Sequence, residues 1–120
     1  MSHDGRPNGK PKPKRFLCVC EGGNVRSATL AYVLHDKHGQ EAIPVGLRWA
    51  SPATLETLCE WADYVMLLEG WMQERIPARW GAKIRVFDVG PDIWGLSLNP
   101  QLHKMVADVA ADWASRAFVI

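Results

Sequence analysis

The chain has 120 residues, enough for one domain with a modest core, and 48% of them are apolar, as in an ordinary globular protein. Its net charge of +1 excludes a whole-protein field that would attract nucleic acid or a membrane surface, so neither is an expected partner. There is no apolar run of membrane-spanning length, and three cysteines make a poor disulfide framework, so we expect a cytoplasmic protein.

The first stretch, residues 1–14, is rich in proline, glycine and lysine and almost free of apolar side chains. Its basic residues outnumber Asp4, its one acidic residue; they are Arg6, Lys10, Lys12 and Lys14. Such a segment buries too little surface to offset the entropy of ordering it. The composition therefore predicts a disordered basic tail over residues 1–14 and a single folded domain over residues 15–120.

Beyond the tail, short apolar runs alternate with helical patterns. Strands are predicted over residues 15–19, 45–50, 63–68 and 83–87. Helices are predicted from Ser27 to the His38-Gly39 break, around residues 55–62, over residues 71–76 before Pro77, and at the end, on a face made by Leu102, Met105, Val106, Val109 and Trp113. This alternation predicts an α/β fold with a parallel sheet covered by helices on both faces. Ligands of such sheets bind beyond the carboxyl ends of the strands.

The loop after the first strand lies at that edge. It reads Cys20-Glu21-Gly22-Gly23-Asn24-Val25-Arg26-Ser27, with five residues between the cysteine and the arginine. Five residues can wrap into a ring whose backbone N–H groups point inward and bind an anion, and the two glycines permit left-handed backbone angles there. The helix that follows adds the positive end of its dipole. The pattern predicts a phosphate-binding loop.

Three side chains of this loop suit phosphoryl chemistry. Arg26 can hold two phosphate oxygens with its planar fork. Cys20 lies on the floor of the ring, where a helix N-terminus and a nearby cation favour the thiolate, which can attack phosphorus. Ser27 can donate a hydrogen bond to that thiolate. The plainer interpretations are an inert buried thiol for Cys20 and a surface arginine at a helix start for Arg26; Cys18, inside the strand, is expected to be a core residue.

No metal or cofactor is expected. Cys18 and Cys20 have no second cysteine or histidine pair at the spacing of a zinc site. His35 and His38 stand one helical turn apart, which is more typical of a solvated helix face than of a metal site.

Three segments resemble the low-molecular-weight protein tyrosine phosphatase family, in a compact bacterial form: FLCVCEGGNVRS, WADYVMLLEG and VFDVGPDIWG. The resemblance runs from residue 15 to about residue 113. It implies a three-layer αβα fold with a four-stranded parallel sheet in the order 2-1-3-4. It also implies a phosphomonoester hydrolase that acts through a cysteinyl-phosphate intermediate, with phosphotyrosine as the favoured substrate class.

The same resemblance implies roles for individual residues. Cys20 would be the nucleophile, Arg26 the phosphate clamp and Ser27 the partner of the thiolate. The general acid would follow the fourth strand, where Asp92 is preferred to Asp88 because an aromatic residue, Trp94, and a glycine come soon after it.

Two positions depart from the family pattern. Gly23 stands where the family has an asparagine, and Asn24 comes one residue later. Trp49 stands near the end of the predicted second strand, where the family tends to have a small hydroxyl residue. Trp49 and Trp94 both lie near strand ends and would wall a pocket for an aromatic phosphoester.

Two other functions remain open at this point. The altered loop would also suit a module that binds a phosphate or a phosphoprotein without turning it over. A thiol-dependent arsenate reductase shares this fold and loop but needs further cysteines near the third strand, and Cys59 precedes that strand. The expected partner is a phosphorylated protein or a small phosphomonoester, and the sequence leaves the oligomeric state open.

Overall fold

The computed structural model describes residues 12–22, 25–89 and 99–117, with side chains as far as residue 112. The strands are β1 (Arg15–Cys20), β2 (Glu41–Gly46), β3 (Tyr64–Leu67) and β4 (Ile84–Val86). The helices are α1 (Arg26–His38), α2 (Pro52–Trp61) and α3 (Pro100–Ala117), and two 3-10 helices, Gly70–Arg75 and Ala78–Lys83, connect β3 to β4.

The four strands form one parallel sheet in the order β2-β1-β3-β4. Helix α1 packs against β1, β2 and α3, while α2 packs against β1. The predicted α/β architecture and the strand order 2-1-3-4 are therefore confirmed. Because β1 lies between β2 and β3, its carboxyl end is at the centre of the edge where ligands of such sheets bind.

The predicted position of the second strand is wrong: β2 covers Glu41–Gly46, and residues 47–50 follow it. Pro44 makes this segment look unlike a strand in the sequence, because proline has no N–H for a sheet ladder. In the structure Pro44 pairs with Cys18 of β1, and β2 is an edge strand. A proline N atom that faces away from the sheet costs no ladder hydrogen bond.

The core is built on the two central strands. The β1 residues 16–19 are completely buried, and the β3 residues 65–67 are at most 1% exposed. Near-continuous apolar runs of this kind are expected of parallel strands covered on both faces. Helix α1 contributes Leu30, Val33 and Leu34 to the same cluster. This packing fixes the positions of the end of β1 and the start of α1, between which the predicted phosphate loop lies.

Helix α3 begins with a side-chain cap, since Asn99 Oδ1 accepts hydrogen bonds from the backbone N–H groups of residues 101 and 102 at 2.9 and 3.3 Å. Its buried stripe is Leu102, Val106 and Ala110, one residue every helical turn. Two further residues of the predicted helical face, Met105 and Val109, are 36% and 41% exposed, so the core covers only part of that face. Trp113 lies beyond the described side chains.

Lys14, the last residue of the predicted tail, forms two backbone hydrogen bonds beside the start of β1. The backbone N–H of Lys14 donates to Gln40 Oε1, and the carbonyl of Lys14 accepts from the N–H of Glu41 at 3.0 Å. Lys14 thus extends the pairing of β1 with β2. Residues 1–11 lie outside the described residues, so the tail and the domain boundary stay predictions. Among the helices that the structure describes, none is long and apolar enough to cross a membrane.

Candidate active site

Three elements meet at the carboxyl end of β1: that strand itself, the first turn of α1 and the segment that follows β3. Cys20 is the last residue of β1 and is 2% exposed. Val25 is the N-cap of α1 and supplies no side-chain acceptor to the first turn. The N-terminus of this helix is therefore suited to an oxyanion acceptor. Gly23 and Asn24, at the apex of the loop, lie outside the described residues.

The structure brings Cys20 and Ser27 together. Cys20 Sγ and Ser27 Oγ lie 3.0 Å apart, within hydrogen-bonding distance, and the Ser27 side chain is completely buried. The two residues are seven positions apart in the chain, and their contact places the end of β1 beside the first turn of α1. A hydroxyl at this distance can donate to a thiolate and so stabilise it as a nucleophile and as a leaving group.

Arg26 points inward. Its side chain is completely buried, and Nη1 forms an ion pair with Glu69 Oε1. Nε and Nη2 are buried as well. A buried guanidinium needs an anionic partner, because removing such a charge from water is expensive. The interpretation of Arg26 as an ordinary surface arginine is therefore wrong.

Glu69 is a residue of this site that the sequence analysis misses. The ladder of β1 with β3 continues past Leu67, because Leu68 N–H donates to the carbonyl of Val19 at 3.0 Å. Glu69 comes next in the chain and therefore lies beside the Cys20 loop. A charged residue directly after a buried strand was a usable signal, since carboxyl ends of neighbouring parallel strands share one edge.

The turn after β2 braces the start of the loop. Leu47 N–H donates to the carbonyl of Cys20, and Arg48 N–H to the carbonyl of Glu21, each at 3.0 Å. The Arg48 side chain also pairs with the Glu21 carboxylate, with 2.5 Å between Nη2 and Oε2. This second ion pair was also missed by the sequence analysis. It turns the negative Glu21 side chain toward a cation, which reduces the repulsion that a phosphate would meet.

The expected left-handed backbone is not found at Gly22. Among the described glycines, only Gly39, after α1, has a positive φ, of 66°. Gly22 therefore fills no left-handed position, and the prediction is wrong for that residue. For Gly23 the prediction falls outside the described residues.

Four further residues were predicted around the phosphate loop, and the structure describes two of them, Trp49 and Asp88. Trp49 lies in the turn beyond β2, not in a strand, and its side chain is 75% exposed. Its indole is exposed to solvent, and its place in the wall of a substrate pocket stays a prediction. Asp88 is exposed and lies two residues beyond the end of β4. Asp92 and Trp94 lie outside the described residues.

The other two cysteines are buried away from this chemistry. Cys18 is completely buried, and burial, together with the neighbouring Cys20, raises its pKa well above the usual range of a thiol. Burial also raises the pKa of Cys59. The Cys59 carbonyl accepts from Lys83 Nζ, just before β4, so Cys59 lies toward the amino ends of the strands, opposite Cys20. The prediction that Cys18 is a core residue is confirmed.

These positions predict selective labelling by a small alkylating reagent. Near neutral pH we expect iodoacetamide to modify Cys20 first, because the raised pKa of the other two thiols leaves little of the reactive thiolate at those sites. Inorganic phosphate should slow the reaction of Cys20. Peptide mass mapping after short exposure measures this, and equal labelling of Cys18 and Cys20 would contradict the assignment.

The fold of this chain is shared by proteins of known structure. No family model matches the sequence, and no curated protein matches it closely enough to count. Among solved structures, Wzb of Vibrio vulnificus in complex with benzylphosphonate matches with a TM-score of 0.67 and 19% identity, over 86% of this chain and 98% of that chain. A low-molecular-weight protein tyrosine phosphatase from Streptococcus pyogenes matches with a TM-score of 0.66 and 19% identity, over 87% and 93% of the two chains.

A third match is a phosphatase with a different substrate. The YwlE arginine phosphatase from Geobacillus stearothermophilus matches with a TM-score of 0.65 and 18% identity, over 87% of this chain and 92% of that chain. Identities this low establish the fold alone. The chain thus has the fold of the low-molecular-weight protein tyrosine phosphatases, as the sequence resemblance implies.

Proposed function

We propose that this chain is a phosphomonoester hydrolase of the low-molecular-weight protein tyrosine phosphatase type. The observation that carries the proposal is the meeting of a thiol, a hydroxyl and a buried guanidinium at one helix N-terminus. Cys20 and Ser27 are 3.0 Å apart there, and Arg26 follows in the first turn of α1. A site that only binds phosphate has no need of the thiol.

In the first step the Cys20 thiolate attacks phosphorus in line with the leaving group. A sulfur–phosphorus bond forms while the bond from phosphorus to the ester oxygen breaks. Arg26 and the backbone N–H groups of residues 21–26 hold the non-bridging oxygens, where the negative charge is greatest. Asp92, as the carboxylic acid, gives its proton to the departing oxygen, so the alcohol leaves neutral.

In the second step water replaces the sulfur. The Asp92 carboxylate takes a proton from the attacking water, an oxygen–phosphorus bond forms, and the sulfur–phosphorus bond breaks. The electron pair of that bond returns to Cys20 as a thiolate. The Ser27 hydroxyl donates to it at that moment, which makes sulfur a better leaving group. The products are inorganic phosphate and the regenerated enzyme.

Aromatic phosphoesters, and phosphotyrosine in particular, are the proposed substrate class. The exposed Trp49 indole lies in the turn that braces the loop and offers a surface against which an aromatic ring can stack. Wzb, which shares the fold, was solved with an aromatic phosphonate. Because YwlE is an arginine phosphatase, peptides carrying phosphotyrosine, phosphoserine and phosphoarginine should be compared. Higher kcat/KM on phosphoarginine would reassign the substrate and leave the mechanism unchanged.

Cytoplasmic activity is part of the proposal, since all three cysteines are free thiols and a nucleophilic thiol needs a reducing compartment. Arsenate reduction is disfavoured. That chemistry needs a second thiol that can reach Cys20, whereas Cys59 lies near the amino ends of the strands and Cys20 at a carboxyl end. Cys18 lies two residues away on an extended strand, where Cβ atoms are about 6–7 Å apart and a disulfide needs about 4 Å.

The general acid is tested by Asp92→Asn, with Asp88→Asn as its matched control. We expect Asp92→Asn to lower kcat on an alkyl or unactivated phenyl phosphate by about 100-fold or more, since general acids contribute about 10²–10⁴-fold. The loss of kcat/KM, which reports the first step alone, should be smaller on p-nitrophenyl phosphate, because its leaving group needs little protonation. The measurement is kcat and kcat/KM for both substrates at about pH 6. A larger loss in Asp88→Asn than in Asp92→Asn would transfer the role to Asp88.

A further inference from the structure

The carboxylate of Glu69 stands between the buried Arg26 and an indole. Glu69 Oε1 pairs with Arg26 Nη1. Its second oxygen, Oε2, accepts a hydrogen bond from Trp71 Nε1 at 3.0 Å. The Glu69 side chain is 21% exposed, and Trp71 is 46% exposed. The three side chains therefore form one connected series that runs from the surface to the phosphate clamp.

The elements that carry these residues make the series rigid at both ends. Arg26 is in the first turn of α1, which is packed into the core. Glu69 leaves the end of β3, and its carbonyl accepts from Met72 N–H at 3.2 Å in the first turn of the 3-10 helix Gly70–Arg75. Met72 is completely buried, which anchors that helix. The carboxylate thus approaches Arg26 from a fixed direction.

A long arginine side chain has many rotamers, and holding one of them costs conformational entropy. If the folded enzyme already holds this rotamer, no further side-chain entropy is lost when phosphate binds or when the transition state forms. A carboxylate that holds one guanidinium nitrogen also leaves the rest of the planar fork in a defined plane. The fork can then meet two phosphate oxygens at once.

We propose that Glu69 is a positioning residue that fixes the Arg26 guanidinium for phosphate, and that Trp71 acts through Glu69 by fixing its carboxylate. The proposal deepens the proposed phosphatase function and rests on it. Glu69 does not touch the substrate. Its acceptor oxygen holds the guanidinium and its charge offsets that of the buried cation, so an uncharged amide of the same shape should replace it only in part.

The test compares Glu69→Ala, Glu69→Gln and the control Glu74→Ala. Glu74 lies in the 3-10 helix Gly70–Arg75 and is exposed, and its replacement by alanine removes the same charge as Glu69→Ala. On p-nitrophenyl phosphate we expect Glu69→Ala to lower kcat by about 10- to 100-fold, the size of loss that misplaced catalytic groups produce, with KM changed by less than about threefold. Glu69→Gln should recover at least about a third of the parent kcat, and Glu74→Ala should equal the parent.

Trp71→Phe isolates the indole N–H and keeps an aromatic ring. Alone it should lower kcat by about two- to fivefold. In the Glu69→Ala background it should have no further effect, because its action passes through that carboxylate. If Trp71→Phe lowers kcat by the same factor in the parent and in the Glu69→Ala background, the role given to Trp71 is overturned. Unchanged kcat in folded Glu69→Ala, or a Glu69→Gln variant as slow as Glu69→Ala, would overturn the role given to Glu69.

Phosphate binding keeps this test separate from that of the proposed function. Titration calorimetry with inorganic phosphate measures the clamp even in a protein that shows no turnover. Should the parent protein bind phosphate without hydrolysing esters, the hydrolase proposal fails, yet Glu69→Ala must still weaken phosphate binding at least about fivefold relative to Glu74→Ala. Equal phosphate affinity in these two variants would contradict the positioning role. Thermal unfolding of each variant establishes that it is folded. If Glu69→Ala is not folded, Glu69→Asp takes its place in both measurements, because its shorter side chain withdraws the carboxylate from Arg26.

Discussion

Replacing Cys20 by serine is expected to lower kcat/KM on p-nitrophenyl phosphate by at least about 1,000-fold, because a serine hydroxyl near neutral pH supplies almost no alkoxide. Phosphate binding should survive, since Arg26, Ser27 and the loop backbone remain. Steady-state kinetics and calorimetric titration with phosphate measure the two parts separately. This separation distinguishes a nucleophile from a residue that only shapes the loop.

Cys18→Ser is the matched control for this change. Cys18 lies two residues earlier in β1, is completely buried and takes no part in the proposed chemistry. The buried hydroxyl is expected to lower the free energy of unfolding by about 1–3 kcal/mol, while kcat of the folded protein stays within about twofold of the parent. Turnover by Cys20→Ser above about a tenth of the parent rate would exclude Cys20 as the nucleophile.

Replacing Arg26 by lysine is expected to lower kcat/KM by about 100- to 1,000-fold and to weaken phosphate binding by about tenfold or more. Lysine keeps the charge but has no planar fork, so it cannot bind two phosphate oxygens in the plane that arginine offers. The shorter reach of its single nitrogen also disturbs the buried pair with Glu69. Kinetics on p-nitrophenyl phosphate, with phosphate as the competing inhibitor, give both values.

Arg15→Lys controls for the substitution itself. Arg15 begins the strand that Cys20 ends, and its side chain is 45% exposed beside Asp63. Its replacement should leave kcat/KM within about twofold of the parent, because exposed ion pairs contribute about 0–1 kcal/mol. Similar losses in both lysine variants would mean that Arg26 acts through stability and not through phosphate.

The sequence predicts the architecture well because the relevant signals are local. Apolar runs at β1 and β3, each followed by a helical pattern, are sufficient for a parallel α/β sheet. The second strand was misplaced for an equally local reason. Pro44 is disfavoured inside a sheet, and only the tertiary arrangement shows that β2 is an edge strand where proline is tolerated.

The sequence predicts the site residues that lie close together in the chain and misses those that come from distant parts of the chain. Cys20, Arg26 and Ser27 lie within eight residues of one another, so their spacing and context point to a phosphate loop. Glu69 reaches Arg26 from 43 residues away. Its role follows only when β3 is known to neighbour β1, and a single glutamate after a strand has no distinctive spacing of its own. The same holds for Arg48, which pairs with Glu21 from 27 residues away.

Backbone detail was the weakest part of the prediction. Glycines at the loop suggested left-handed angles, yet Gly22 does not adopt one. Glycine permits such angles without requiring them. On α3, the apolar pattern was wider than the face that the core covers, so Met105 and Val109 remain exposed.

Turnover is expected to transfer the phosphoryl group to the sulfur of Cys20, and trapping this intermediate is the most direct test. The protein is mixed with excess p-nitrophenyl phosphate, quenched in acid within the first turnovers and digested, and the peptide that contains Cys20 is analysed by mass spectrometry. We expect this peptide to carry one phosphoryl group on sulfur, absent in Cys20→Ser and more abundant in Asp92→Asn if that residue activates the water. Turnover with no phosphoryl group on Cys20, or with one on another residue, would contradict the account.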